Sequence, residues 1–228
     1  MSPECCRTLI ALFLRVDPSL LGAENGHVVQ SDMLPSSQEK RIVIALQAET
    51  HGRRFTALAR SWWTELHSVA ELPLVAVRAM LPRECQPEVR FGEVYVLEGE
   101  PRLLPLPEGY AWAQPGQPVD PDVAGWLKRL PELGIAYRGK VIAGICSRPY
   151  PSTRFVGSPV FVEPGHRGRK LAQCLIGALA AGARRAGNVP TALISDGNVV
   201  SRRAFRAVGY TKQLSVGSLS IRQGSPSV

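Results

Sequence analysis

The segment from Val160 to Ala172, VFVEPGHRGRKLA, constrains the fold of this chain more than any other stretch. Its apolar, β-branched opening predicts a strand that ends at Val162, and Pro164 with Gly165 breaks any ladder that would continue. The chain then turns through Arg167, Gly168 and Arg169 into LAQCLIGALAAGA, a helix rich in Ala and Gly that is expected to reach residue 186. The first N–H groups of a helix have no partner inside it, and the helix dipole favours an anion beside them. Gly168 lets a phosphate approach the backbone, while Arg167 and Arg169 add charge, so the turn reads as an anion cradle. A solvated basic turn heading a surface helix is the simpler alternative for so short a motif. The small side chains of the helix, which permit close packing against a sheet or a flat ligand, favour the cradle.

Around this turn the pattern is orderly. Residues 135–138, 139–140 and 141–146 spell a hairpin, and residues 154–162 a further strand. Residues 191–195 form a buried strand, 198–208 a short helix ended by Gly209, and 210–221 a final strand. The order β-β-β-α-β-α-β places a helix directly after the third of these strands. Gly197, Asn198 and Ser201 form a helix cap at the carboxyl end of a strand, where ligands gather in open α/β sheets.

Upstream, residues 6–21 have helical spacing, 31–39 are polar and read as a loop, and 41–47 (RIVIALQ) predict a strand. A helix is expected from about Phe55 to His67, with Trp62 and Trp63 on it, and short strands over 73–80 and 94–97. Between Gly99 and Pro121 prolines and glycines crowd together, marking a connector or cleft wall. Asp120 then caps a short helix with Pro121 at its first position. Residues 1–91 thus form an N-terminal α/β lobe, a degenerate second copy or a substrate-shaping part, and residues 92–228 a second domain.

Composition narrows the function classes. The 27 Lys and Arg exceed the 19 Asp and Glu, for a net charge of +8. The basic residues gather at Arg167 to Lys170, Arg184 and Arg185, and Arg202 to Arg206. They neither form a tail nor alternate with exposed aromatics, which favours a phosphate-bearing cofactor over nucleic acid. The five cysteines are odd in number and hold no Cys-x-x-Cys pair, and the four histidines are scattered, so no metal is expected. No apolar run approaches the length of a membrane span. The apolar residues 9–14 are flanked by Glu4, Arg15 and Asp17, which suits a core-facing helix of a cytoplasmic protein better than a signal peptide.

Two motifs in order resemble the GNAT superfamily of acyl-CoA-dependent N-acetyltransferases. Arg167-Gly-Arg-Lys-Leu-Ala172 matches the first and last positions of the family's Arg/Gln-x-x-Gly-x-Gly/Ala cofactor motif. Asn198-Val-Val-Ser201, then Phe205, then Gly209-Tyr210 match its downstream motif. The resemblance covers the C-terminal part. It implies a mixed, mostly antiparallel sheet, splayed near Val160, Phe161 and Val162 and flanked by helices. It also implies that acetyl-CoA or another acyl-CoA is bound by those three residues, by Arg167, Gly168, Arg169, Lys170, Leu171 and Ala172, and by Asn198 and Ser201. Lys170 replaces the family's central glycine. Phe205 stands where many members carry a tyrosine that returns a proton to the departing thiolate.

The implied reaction is acyl transfer to an amine, on a small molecule or a peptide. It needs a proton acceptor, for which Glu163 is the nearest acid, and a donor to sulfur, for which Ser201 is the candidate. Backbone N–H groups of Val160 to Val162 would polarise the thioester carbonyl. A catalytically silent acyl-CoA-binding or scaffolding module is the alternative that Phe205 keeps open. Neither the acceptor nor the oligomeric state is written in the sequence.

Overall fold

The computed structural model describes residues 3–14, 28–31, 36–37, 41–50, 53–59, 66, 68, 72–127, 130–150 and 153–222. They fall into two compact units, Met1–Val94 with Gln213–Val228, and Tyr95–Lys212. Of the C-terminal residues, 215–222 pair with a strand of the first unit.

In the first unit, helix α1 (Pro3–Leu14) buries Leu9, Ile10 and Leu14. Strand β1 (Val28–Ser31) pairs in parallel with β4 (Arg53–Ala59), and β2 (Ser36–Ser37) pairs antiparallel with β3 (Arg41–Thr50). Part of the loop expected over 31–39 is therefore strand. Strands β3 and β4 form an antiparallel pair from Ala45 opposite Leu58 to Thr50 opposite Arg53. The helix expected from Phe55 is overturned up to residue 59. Phe55 and Thr56 suit a pleated surface, and pairing with β3 settles a run too short and too uniformly buried to show its period. Trp62 and Trp63 lie outside the described residues.

The expected strand over 73–80 is instead helix α2 (Leu74–Met80). Its buried residues, Leu74 and Val77, stand three apart on one face, while Val75 and Met80 are exposed. Buried Gln47 of β3 fixes its start, donating to Leu72 O at 2.7 Å and accepting from Leu74 N at 3.2 Å. Strand β5 (Glu88–Val96) follows, and β13 (Thr211–Arg222) returns to pair antiparallel with β3, Ser215 opposite Glu49. Ile44, Leu58, Leu74, Val77, Leu219 and Ile221 share this unit's core.

The second unit holds the residues that the sequence singled out around Gly168 and Asn198. Strand β6 (Tyr110–Trp112) interrupts the Pro- and Gly-rich connector. Helix α3 (Pro121–Leu127) begins where expected, with Asp120 Oδ1 accepting from Asp122 N at 2.9 Å. Strands β7 (Leu133–Tyr137) and β8 (Lys140–Ile145) form the expected hairpin, with Gly139 at φ 80 in its turn. After β9 (Arg148–Pro149), the single strand expected over 154–162 is two, β10 (Phe155–Gly157) and β11 (Val160–Val162). Pro159 explains the break, since it has no N–H to continue a ladder.

Helix α4 (Leu171–Arg185), strand β12 (Val189–Ser195) and helix α5 (Val199–Val208) follow as anticipated. One four-stranded sheet runs β11-β8-β7-β6, antiparallel throughout. A separate group pairs β12 with β10 in parallel and β10 with β9 antiparallel. Leu175, Ile176 and Ala180 of α4, Phe205 and Val208 of α5, and Ile135, Ile145 and Ile194 of the strands meet in its core. The fold is mixed α/β, with mostly antiparallel sheet flanked by helices.

Candidate cofactor site

The break between β10 and β11 opens a gap. Phe155, Val156 and Gly157 stand opposite Val189, Pro190 and Thr191 of β12. Beyond Gly157 the chain leaves β12 and joins the other sheet, where Val160, Phe161 and Val162 face Ile145, Gly144 and Ala143 of β8. Ser158, which is buried, sits at the apex. Cys146 N donates to Pro159 O at 3.2 Å, and Glu163 N donates to Ile142 O at 2.9 Å. By the two-residue period of the ladder, residues 159, 161 and 163 spend their backbone groups on β8. Those of Val160 and Val162 therefore point to the edge of the sheet, for β11 is its terminal strand.

The wide end of the gap is the turn into α4. Gly168 lies at φ 78 with no heavy atom within 4 Å of an added Cβ, so something can approach its backbone closely. Lys170 caps the helix in the left-handed region at φ 62, where an L side chain is strained. The first ladder bond of α4 is Cys174 N to Lys170 O at 3.1 Å, leaving the amides of the opening turn directed outward. Arg167 folds back, its Nε donating to Val162 O at 3.1 Å and its guanidinium lying 5.9 Å from the Phe161 ring centre. Gly168, Arg169 and Lys170 are exposed, whereas Leu171 is buried in the core and Ala172 half-buried. The Phe161 ring turns away from the core that holds Val160 and Val162, and meets Trp126 of α3 at 5.6 Å.

Glu163, at the end of β11, lies 3.7 Å from His166 Nε2. The other ring nitrogen of His166 shares a 2.9 Å hydrogen bond with the Tyr110 hydroxyl. Tyr137 packs 4.9 Å from the same ring, and the Arg169 guanidinium lies 6.0 Å from the Tyr110 ring centre. The sequence did not point to Tyr110 or Tyr137. The Tyr110-Ala-Trp112 alternation was the available signal, masked by the surrounding prolines. Across the gap, Asn198 Oδ1 accepts from Ser201 N at 3.1 Å, which makes Asn198 the cap of α5. Among the described residues no hydrogen bond joins Ser201, on α5, to Glu163, at the end of β11. Phe205 is buried against Tyr210, with ring centres 5.0 Å apart and nearly perpendicular. No helix among the described residues is long and apolar enough to cross a membrane.

Residues 133–216 match the model of the FR47-like protein family, which is GNAT-related. The resemblance to GNAT proteins thus lies in the C-terminal part of the chain. Among solved structures, a Drosophila protein is 19% identical with a TM-score of 0.50, over 74% of this chain and 61% of that one, and shares the fold. A GCN5-related N-acetyltransferase from Sphaerobacter thermophilus is 15% identical, over 85% of this chain and 63% of that one, with a TM-score of 0.49. An acetyltransferase of the GNAT family from Colwellia psychrerythraea is 17% identical, over 67% and 63%, with a TM-score of 0.47. The chain spans less than two thirds of the length of each of these. No functionally curated protein matches it significantly.

Proposed function

We propose that this protein is an acyl-CoA-dependent N-acyltransferase whose acceptor is an amine on a small molecule or a peptide. The observation that carries this is a gap with one free strand edge, β11, ending at an open turn on a helix N-terminus. A pyrophosphate needs many donors around positive charge, and an amide-bearing arm needs a strand edge. The amides of Gly168 to Ala172, with Arg167, Arg169 and Lys170 around them, would hold the pyrophosphate. The outward N–H and C=O of Val160 and the N–H of Val162, whose C=O is taken by Arg167, would pair with the arm, and Asn198 and Ser201 would close the far wall. The bound thioester supplies an activated acyl carbon.

Glu163 is the proposed proton acceptor. Six residues separate it from Gly157, roughly 20 Å of extended chain, so a proton leaving an amine at the apex reaches it through water. Its contact with His166 also steadies the turn. Ser201, whose N–H is held by the Asn198 cap at the start of α5, is the proposed hydrogen-bond donor to the sulfur. A second reading, a silent acyl-CoA-binding module, draws support from Phe205, whose buried ring offers no hydroxyl.

Calorimetry with CoA, followed by thiol release from acetyl-CoA across an amine panel, tests both. The proposal expects binding and turnover. Binding without turnover on any amine would leave the silent module, and absence of binding would remove both.

A further inference from the structure

Tyr110 makes two contacts with the turn into α4 that packing alone does not require. It lies on β6 opposite Tyr137 of β7, and the two half-buried rings are 5.2 Å apart. Phenylalanine would supply the same packing. The hydroxyl instead reaches His166 Nδ1 at 2.9 Å, and the Arg169 guanidinium lies 6.0 Å from the ring centre. The connector that leads into β6 is itself seated on α4. Cys174 Sγ donates to Pro105 O at 3.5 Å, Arg102 O stands 3.0 Å from where a Cβ on Gly177 would lie, and Tyr110 N donates to Pro107 O at 3.2 Å. Tyr110 therefore meets the turn from a fixed support.

The two contacts differ in chemistry. A carboxylate only accepts, so the His166 nitrogen that faces Glu163 at 3.7 Å is favoured as an N–H, which leaves Nδ1 to accept from the Tyr110 hydroxyl. The imidazole is thereby tied on both sides, to β6 and to the end of β11, and His166 N donates to Glu163 O at 3.0 Å. Arg169 is held in another way. An aromatic ring attracts a guanidinium through its quadrupole and takes none of its N–H donors. Arg167, by contrast, has given its Nε to Val162 O. Among the described residues no acid pairs with Arg169, which is exposed, so its charge and donors stay open to an anion.

A long exposed side chain loses rotamer freedom when it grips a ligand, and one already held in place loses less. We propose that Tyr110 is a positioning residue for the anion cradle. Its hydroxyl pins His166 and its ring carries Arg169, so that the turn and its charge are set before the anion arrives. This rests on the acyl-CoA reading above, in which the anion is the pyrophosphate.

The test is calorimetric titration with CoA at low and high salt, alongside unfolding of the ligand-free proteins. Tyr110→Phe keeps the ring and removes the hydroxyl. Its CoA affinity is expected to fall roughly two- to fivefold, with the parent's salt dependence. Tyr110→Leu removes both contacts. A fall of roughly tenfold is expected, with a flatter salt dependence because Arg169 is no longer held. In an Arg169→Ala background, Tyr110→Leu should cost clearly less than it does alone, since part of its effect passes through the arginine. Additive losses in that double variant would overturn the inference, as would either tyrosine variant binding CoA as the parent does. Affinity losses that merely follow a lowered ligand-free midpoint, with the salt dependence unchanged throughout, would identify a structural tyrosine and overturn it too. If Tyr110→Leu does not fold, Tyr110→Phe decides alone. In each of these cases a parent that binds CoA leaves the acyl-transfer proposal standing. If the parent itself binds no CoA, both fall.

Discussion

At the scale of single residues, the turn into α4 combines two left-handed positions of different kinds. Gly168 at φ 78 has the residue type that this backbone favours, while Lys170 at φ 62 does not. Lys170→Gly should relieve strain of about 1 kcal/mol and raise the unfolding midpoint by a few degrees. Its effect on CoA affinity separates obstruction from contact: tighter binding means that the side chain blocks the turn, and weaker, less salt-dependent binding means that it touches phosphate. Lys170→Ala keeps the strain and removes the charge, so the pair of variants divides the two effects. Gly168→Asp should abolish CoA binding, since it sets a carboxylate and a Cβ where the phosphate must approach; titration of the folded variant checks this. Parent-like affinity in both Lys170→Gly and Gly168→Asp would place the cofactor elsewhere.

At the scale of elements, helix α4 shows why small residues were needed. An added Cβ at Gly177 would stand 3.0 Å from Arg102 O, a backbone atom of the connector. The close packing that the Ala- and Gly-rich sequence promised is, at this position, against the connector. Gly177→Ala should lower stability despite its helix propensity gain of about 1 kcal/mol, as thermal unfolding would reveal. Helix α3 adds a pH dependence. Asp120 accepts from Lys140 Nζ at 2.6 Å and from Asp122 N, and these bonds hold its carboxyl below the ordinary 3.8. A depressed folded-state value gives stability that is present above the unfolded value and is lost as pH falls through the folded one. Asp120→Asn should therefore unfold at lower temperature than the parent at pH 7. The difference should shrink as acid protonates the parent's carboxyl below about pH 4.

At the scale of the molecule, the last strand belongs to the first unit. Residues 215–222 pair with β3, and Leu219 and Ile221 are buried in the core of that unit. Truncation after Lys212 would strip a long paired edge from β3 and uncover apolar surface. Such a chain should be recovered mainly in aggregates, and a soluble, cooperatively unfolding product would count against this dependence. Leu219→Ala, a milder change, should cost about 2–5 kcal/mol.

The sequence by itself determined the elements whose punctuation is local: the Gly139 turn, the Pro121 helix start, the Asn198 cap, and the strand, basic turn and helix around Gly168. Each follows from a residue whose own backbone or side chain dictates the geometry. Tertiary structure decided what local chemistry left open. Residues 53–59 and 74–80 are short and apolar with no visible period, so burial against Gln47, Ala45 and their neighbours chose strand for one and helix for the other. The break at Ser158 and Pro159 was written in the sequence, but its consequence was not. Only the choice of β8 over β12 as partner for Val160 to Val162 opens the gap and frees an edge. The gathering of Tyr110 with His166 depends in the same way on a contact between residues 56 positions apart, which no short-range pattern encodes.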